Sequence, residues 1–266
     1  MVGLLPLPRP LMTGEVLDAA NRLFRAGLWR CMPYSALVVL VLEFPILIDL
    51  FLGGDFAGFG TRGRYVVFAV SVLLGVALLG VVALRLGEIS RGLKPRFRIE
   101  VLTVLRRWPG ATIATLGALL FPVLLYLVAS QISPFLPSAL IFVIGVLLIW
   151  PTALLAVALP AFWCGQLGPF AAIAEAVRIS RRRSWRMAGA ILASACLVMV
   201  FYALAALVVG VILPMFGRAD LYLLSTIRSM MSLVVGIFGV PFIVAMLIVA
   251  YEDLKLRDLE RRGAAP

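Results

Sequence analysis

Six stretches of this chain, about 33–52, 65–86, 110–131, 138–162, 189–214 and 229–251, are each apolar over a length that crosses a bilayer. A hydrocarbon core about 30 Å thick needs roughly 20 residues of helix. Lipid offers no partner to backbone N–H and C=O groups, so runs of this length satisfy them internally, as α-helix. With 63% of the 266 residues hydrophobic and 14% charged, most of the chain must face lipid or other apolar helices. The expected fold is all-α integral membrane, with six transmembrane helices in a single membrane domain over 1–266.

Three times, a tryptophan beside an arginine stands where a basic amphipathic stretch hands over to an apolar run: Trp29 with Arg30, Arg107 with Trp108, and Trp185 with Arg186. The tryptophans are 79 and 77 residues apart, and Pro33, Pro109 or Gly189 follows closely. A fixed period of this size marks an internal array. The predicted unit is an interfacial amphipathic helix followed by a helical hairpin, three times over. The interfacial helices are expected at about 14–31, 98–108 and 169–186. Thr13 suits the N-cap of the first. Its apolar positions Val16, Leu17, Ala20, Leu23, Phe24 and Leu28 share one face, expected to lie toward the acyl chains. Glu15 and Asp18 open it and Arg22, Arg25 and Arg30 close it, an order that suits the helix dipole. Ile99, Leu102 and Leu105 form the stripe of the second, and Phe170, Ile173 and Val177 that of the third, where Pro169 fits the first turn. Each tryptophan is expected at headgroup depth with its arginine snorkelling.

The net charge of +11 is distributed unevenly. Segments 1–32, 85–109, 163–188 and 252–266 hold twenty of the Lys and Arg residues, and the alternate segments 53–64, 132–137 and 215–228 hold four. Basic loops stay cytoplasmic, so both termini are expected inside. Nine of the thirteen acidic residues lie on that same side and do not explain the split. A basic surface also suits nucleic acid, but here the cations sit beside spans, as insertion requires, and no nucleic-acid partner is expected. Residues 1–12, with Pro6, Pro8 and Pro10, do not read as a cleaved leader, and the first span is expected to remain.

The chain contains no histidine. That removes Ser-His-Asp and Cys-His pairs, His-ligated zinc and histidine base chemistry together. No phosphate-cradling Gly-rich loop is present, and Cys31, Cys164 and Cys196 are too scattered for a metal or disulfide framework. No catalytic residue, cofactor or metal is therefore expected. Pro45, Pro122, Pro151 and Pro241 inside the spans read as packing kinks, or else as hinges.

Glu43 is the exceptional side chain. It lies ten residues into the first run, about 15 Å deep. An ionised carboxylate there costs about 3 kcal/mol or more. Burial favours the protonated, hydrogen-bonded form. Asp49 is on another face of the same helix, and Tyr126, Ser130, Gln131 and Tyr202 are its expected neutral partners. Either Glu43 is a proton or cation site, or it is a polar contact between helices. The second feature is the cluster Arg178, Arg181, Arg182, Arg183 and Arg186. It serves as a topology anchor, as a grip on anionic headgroups at about 1 kcal/mol per cation, or as both.

Residues Pro10 to Ala20 with Leu23, Phe24 and Arg25 resemble the opening of a bacterial membrane family, the glycerophosphoryl diester phosphodiesterase membrane domain. Leu159 to Ala161, Gly168 to Ala172 and Arg183 to Arg186 are similar to its central signature, and Tyr251 to Arg257 to its closing one. The resemblance implies an inner-membrane domain of six to eight helices, in some members fused to a catalytic barrel. That barrel needs its own length, histidines and paired carboxylates, so the resemblance carries over a fold and a location and no catalytic residue. The expected function is a non-enzymatic multi-pass inner-membrane protein that docks a membrane or cytoplasmic protein partner or interacts with lipids. Trp29, Arg30, Arg107, Trp108, Arg178, Arg182, Trp185 and Arg186 are its expected lipid or interface contacts. The alternative is a small transporter or permease subunit with Glu43 as its coupling site.

Overall fold

A computed structural model describes residues 9–51, 60–94, 96–132, 156–181, 184–212 and 221–263. Among these the chain is all-helical, without a strand. The helices are α1 (Thr13–Phe51), α2 (Gly60–Ser90), α3 (Phe97–Ile132), α4 (Ala158–Trp163), α5 (Pro169–Ser180), α6 (Ser184–Ile212) and α7 (Leu221–Arg261). Three stretches are long and apolar enough to cross a membrane: Thr13–Pro45 in α1, Val66–Ser90 in α2 and Met230–Arg261 in α7. Most of the predicted run 138–162 lies outside the described residues.

The first two predicted hand-overs are not breaks. Residues 14–31 and the run after them form one helix of 39 residues that passes through Pro33 and Pro45. The region 98–108 likewise continues into α3 past Pro109. A proline removes one helical N–H and leaves a carbonyl short of its usual partner, which a neighbouring helix can compensate. One residue beyond the Trp29 carbonyl that Pro33 leaves without its helical N–H, Arg85 Nη1 of α2 donates to the carbonyl of Arg30 at 3.0 Å. The third unit does break, but before its tryptophan. The expected helix 169–186 ends at Ser180, and Trp185 stands in the first turn of α6. Pro169 occupies the first turn of α5, where its missing N–H costs nothing.

At 1.5 Å per residue, α1 and α7 are about 58 and 61 Å long, twice the hydrocarbon thickness. They pack against each other more extensively than any other pair, with α1 against α2 next. Helix α7 is the centre, touching α1, α2, α4, α5 and α6. Accordingly Val244 to Tyr251 are buried on every side, as an all-round apolar helix segment should be.

This core gathers at the end of the bundle that carries the N-terminal half of α1, the C-terminal halves of α2 and α7, α4 and α5. One predicted lipid-facing stripe is corrected by it. On α1, Val16, Ala20 and Leu23 are buried in the core, because the apolar run of α7 gives that face a close-packed partner. On α5 the buried residues are Ala172, Ala176 and Ile179, while Phe170 is 73% exposed and Val177 is exposed. Ala172 and Ala176 let α5 approach closely, with Ile179 beside them in the core, while Phe170 and Val177 are left outside. On α3 the buried face runs through Glu100, Val104, Ala111 and Ala114, and Ile99, Leu102 and Leu105 are exposed.

Candidate functional site

Helices α1, α6 and α7 meet along only part of their lengths and leave a groove of about 640 Å³ between them. Leu197, Val198 and Phe201 form its α6 wall, and Val234, Val235, Phe238, Gly239 and Phe242 its α7 wall. Helix α1 contributes Leu17, Phe24 and Leu28, together with the two polar lining residues, Asp18 and Asn21. The ring of Phe24 stands edge-on to that of Phe242, centroids 5.6 Å apart, and stiffens one end of the channel. A concave, mainly apolar channel with a few polar groups at one lip is the usual form of a small-molecule site.

The lip is electrostatically open. Asp18, Arg22 and Arg25 follow one another at helical spacing, all three are exposed, and none is in an ion pair among the described residues. Other charges near the same end of the bundle are already committed. Arg85 Nη2 lies 2.5 Å from Glu100 Oε2, and the Glu100 side chain is fully buried. The same guanidinium lies 4.5 Å from the centroid of the Tyr34 ring. Asp253 Oδ1 accepts the backbone N–H of Leu11 at 2.7 Å, Arg257 Nε donates to the same carboxylate, and Arg257 Nη2 donates to the Leu11 carbonyl. The segment before α1 is thereby tied to the end of α7.

The predicted contact residues divide into two groups. Trp29 and Trp185 are 79% and 74% exposed, and Arg30 is exposed while its carbonyl is used by Arg85. Trp108, by contrast, is half-buried and donates its indole N–H to the carbonyl of Leu73 on α2 at 2.9 Å. Along α2, Leu73 is twelve residues from Arg85, the partner of Arg30, or about 18 Å. Trp29 and Trp108 therefore do not stand level with each other along that helix. Arg107 donates to the carbonyl of Leu167 at 2.5 Å and sits 4.5 Å over the Phe162 ring, and burial lowers its pKa. Arg178 binds Glu175 at 2.5 Å and Asp258 at 3.4 Å, and the hydrogen bond to Glu175, with the charges of both acids, raises its pKa. Arg182 lies outside the described residues. Arg186 is in α6.

Glu43 is half-buried and accepts a hydrogen bond from Ser232 Oγ at 2.6 Å, joining α1 to α7. The predicted partners did not include Ser232, because nothing in the sequence pairs positions 189 residues apart. The sequence does not single out the Arg85–Glu100 pair for a related reason: both lie in the charged segment 85–109 beside the spans. A signal for Glu100 existed, since it shares a helical face with Val104 and Ala111. Burial pushes the Cys164 thiol up to about 12, which keeps it neutral and unreactive, whereas Cys196 is exposed. No group of three metal-ligating side chains occurs among the described residues.

No protein-family model matches this chain, and no curated protein or solved structure matches it.

Proposed function

We propose that this chain is a non-enzymatic multi-pass protein of the bacterial inner membrane that holds a membrane lipid between α1, α6 and α7. The observation that carries the reading is the groove, an apolar channel of about 640 Å³ with its polar lip on α1 alone. Apolar walls suit acyl chains, and a polar end suits a headgroup at the interface. Exposed Trp29 and Trp185 and the open stripe Ile99, Leu102 and Leu105 support an amphipathic surface in contact with lipid. In this reading the six apolar runs all span, in three repeated units, and the basic segments with both termini are cytoplasmic. The resemblance to the phosphodiesterase membrane domain supplies the compartment, without its barrel or its chemistry. The hydrogen bond between Glu43 and Ser232 favours a contact between helices over a coupling site, and so favours lipid docking over transport.

Native mass spectrometry of the gently extracted protein tests this. The wild type is expected to carry phospholipid. Val234→Trp, which places an indole in the groove at an exposed position of α7, should lose it while keeping its helical content. Equal lipid retention by both proteins would remove the groove from consideration.

A further inference from the structure

Resting on that lipid reading, we infer that the groove selects a zwitterionic lipid whose headgroup carries a primary ammonium next to its phosphate, rather than an anionic lipid. The basic belt of the chain would by itself suggest an anionic ligand. The groove lip has a different chemistry. Its lining includes one carboxylate, Asp18, and one amide, Asn21. Asp18 is in no ion pair and no hydrogen bond among the described residues, although Arg22 follows it by four positions. Side chains at that spacing have Cβ atoms about 5–6 Å apart. A headgroup with ammonium and phosphate on adjacent short arms spans the same distance. The ammonium then donates to the Asp18 carboxylate and the Asn21 carbonyl oxygen, and the phosphate lies beside Arg22 or Arg25.

The alternatives fit less well. A quaternary ammonium has no N–H to give to Asp18. An anionic headgroup without an amine brings net negative charge to that carboxylate, and a headgroup hydroxyl there gives only a neutral hydrogen bond in place of a charge-assisted one. Acyl chains of any of these lipids fit the channel equally, so discrimination must come from the lip.

The test is lipid competition on the full-length protein in mild detergent. An equimolar mixture of phosphatidylethanolamine, phosphatidylglycerol and phosphatidylcholine with matched chains is added, and bound lipid is counted by native mass spectrometry. Phosphatidylethanolamine is expected to exceed each competitor about tenfold, the worth of one charge-assisted hydrogen bond. Asp18→Asn should bring the three lipids near parity while total bound lipid persists, and Asp18→Glu should restore most of the preference. Arg22→Gln gives an independent reading and should lower retention of every phosphate-bearing headgroup alike. A preference for phosphatidylglycerol, or a phosphatidylethanolamine preference untouched by Asp18→Asn, overturns the headgroup assignment and leaves lipid docking standing. No lipid bound to the wild type, or binding indifferent to Val234→Trp, overturns the docking reading itself.

Discussion

Arg85 shows how one charged residue at the end of an apolar helix becomes structural. Its guanidinium holds the fully buried Glu100 carboxylate, caps the Arg30 carbonyl and lies against the Tyr34 ring, so it links α1, α2 and α3. A buried ion pair gains little over a well-packed apolar pair, but removing one partner strands the other charge. Arg85→Met is therefore expected to destabilise the protein by about 3–5 kcal/mol. The double replacement Arg85→Met with Glu100→Leu should recover most of that loss, read by denaturant unfolding in detergent. If the double variant is no better than the single one, the Arg30 carbonyl and Tyr34 contacts carry the role instead. Arg107 and Arg178 follow the same logic. Both looked like headgroup grips in the sequence, and both are engaged with protein groups, at Leu167 and Phe162 and at Glu175 and Asp258. A charge beside a span satisfies the insertion rule whether it faces lipid or a carbonyl, so sequence position alone does not separate the two.

Among the elements, close approach is decided by small residues. Gly80 on α2 lets the Trp163 ring of α4 lie directly on the backbone, and a Cβ there would fall 2.4 Å from that ring. Gly236 does the same for Val39 between α7 and α1. Gly80→Leu should force α4 away and cost about 1–3 kcal/mol as overpacking. Gly189 on α6 has open space around its Cβ position. Gly189→Ala should leave stability unchanged or raise it by up to about 1 kcal/mol. Thermal unfolding of the two variants side by side checks both expectations, and a harmless Gly80→Leu would mean that α4 is loosely held. Continuity of α1 through Pro33 belongs to this scale too. Proline in the sequence marks a weak point, and α1 runs on past it where it packs along α7 and α2.

For the whole molecule, charge asymmetry makes the strongest prediction. A reporter fused after Pro266 or before Thr13 is expected in the cytoplasm, and one inserted at 134–137 in the periplasm, as scored by paired compartment-specific reporters. A periplasmic C-terminus would overturn the six-span count. The packed core is concentrated at the end that this topology puts inside, where Val244 to Tyr251 of α7 are buried. The opposite stretches of α6 carry exposed Leu192, Met199, Val200, Phe201 and Leu204, which suits contact with lipid.

The amino-acid sequence by itself determined the helical membrane class, since apolar runs of span length admit no other backbone in lipid. It also placed Pro169 at a helix start and marked Glu43 as a residue in need of a partner. Only the tertiary structure decided which face of each helix is buried, that Ser232 serves Glu43, that Arg85 serves Glu100, and that α1, α6 and α7 leave a groove with Asp18 at its lip. The physical reason is the solvent. In water an apolar stripe must turn inward, so periodicity reveals the core. In a bilayer lipid tails are as apolar as leucine, so an apolar face is equally content outside, and packing among small residues and polar pairs chooses the interface.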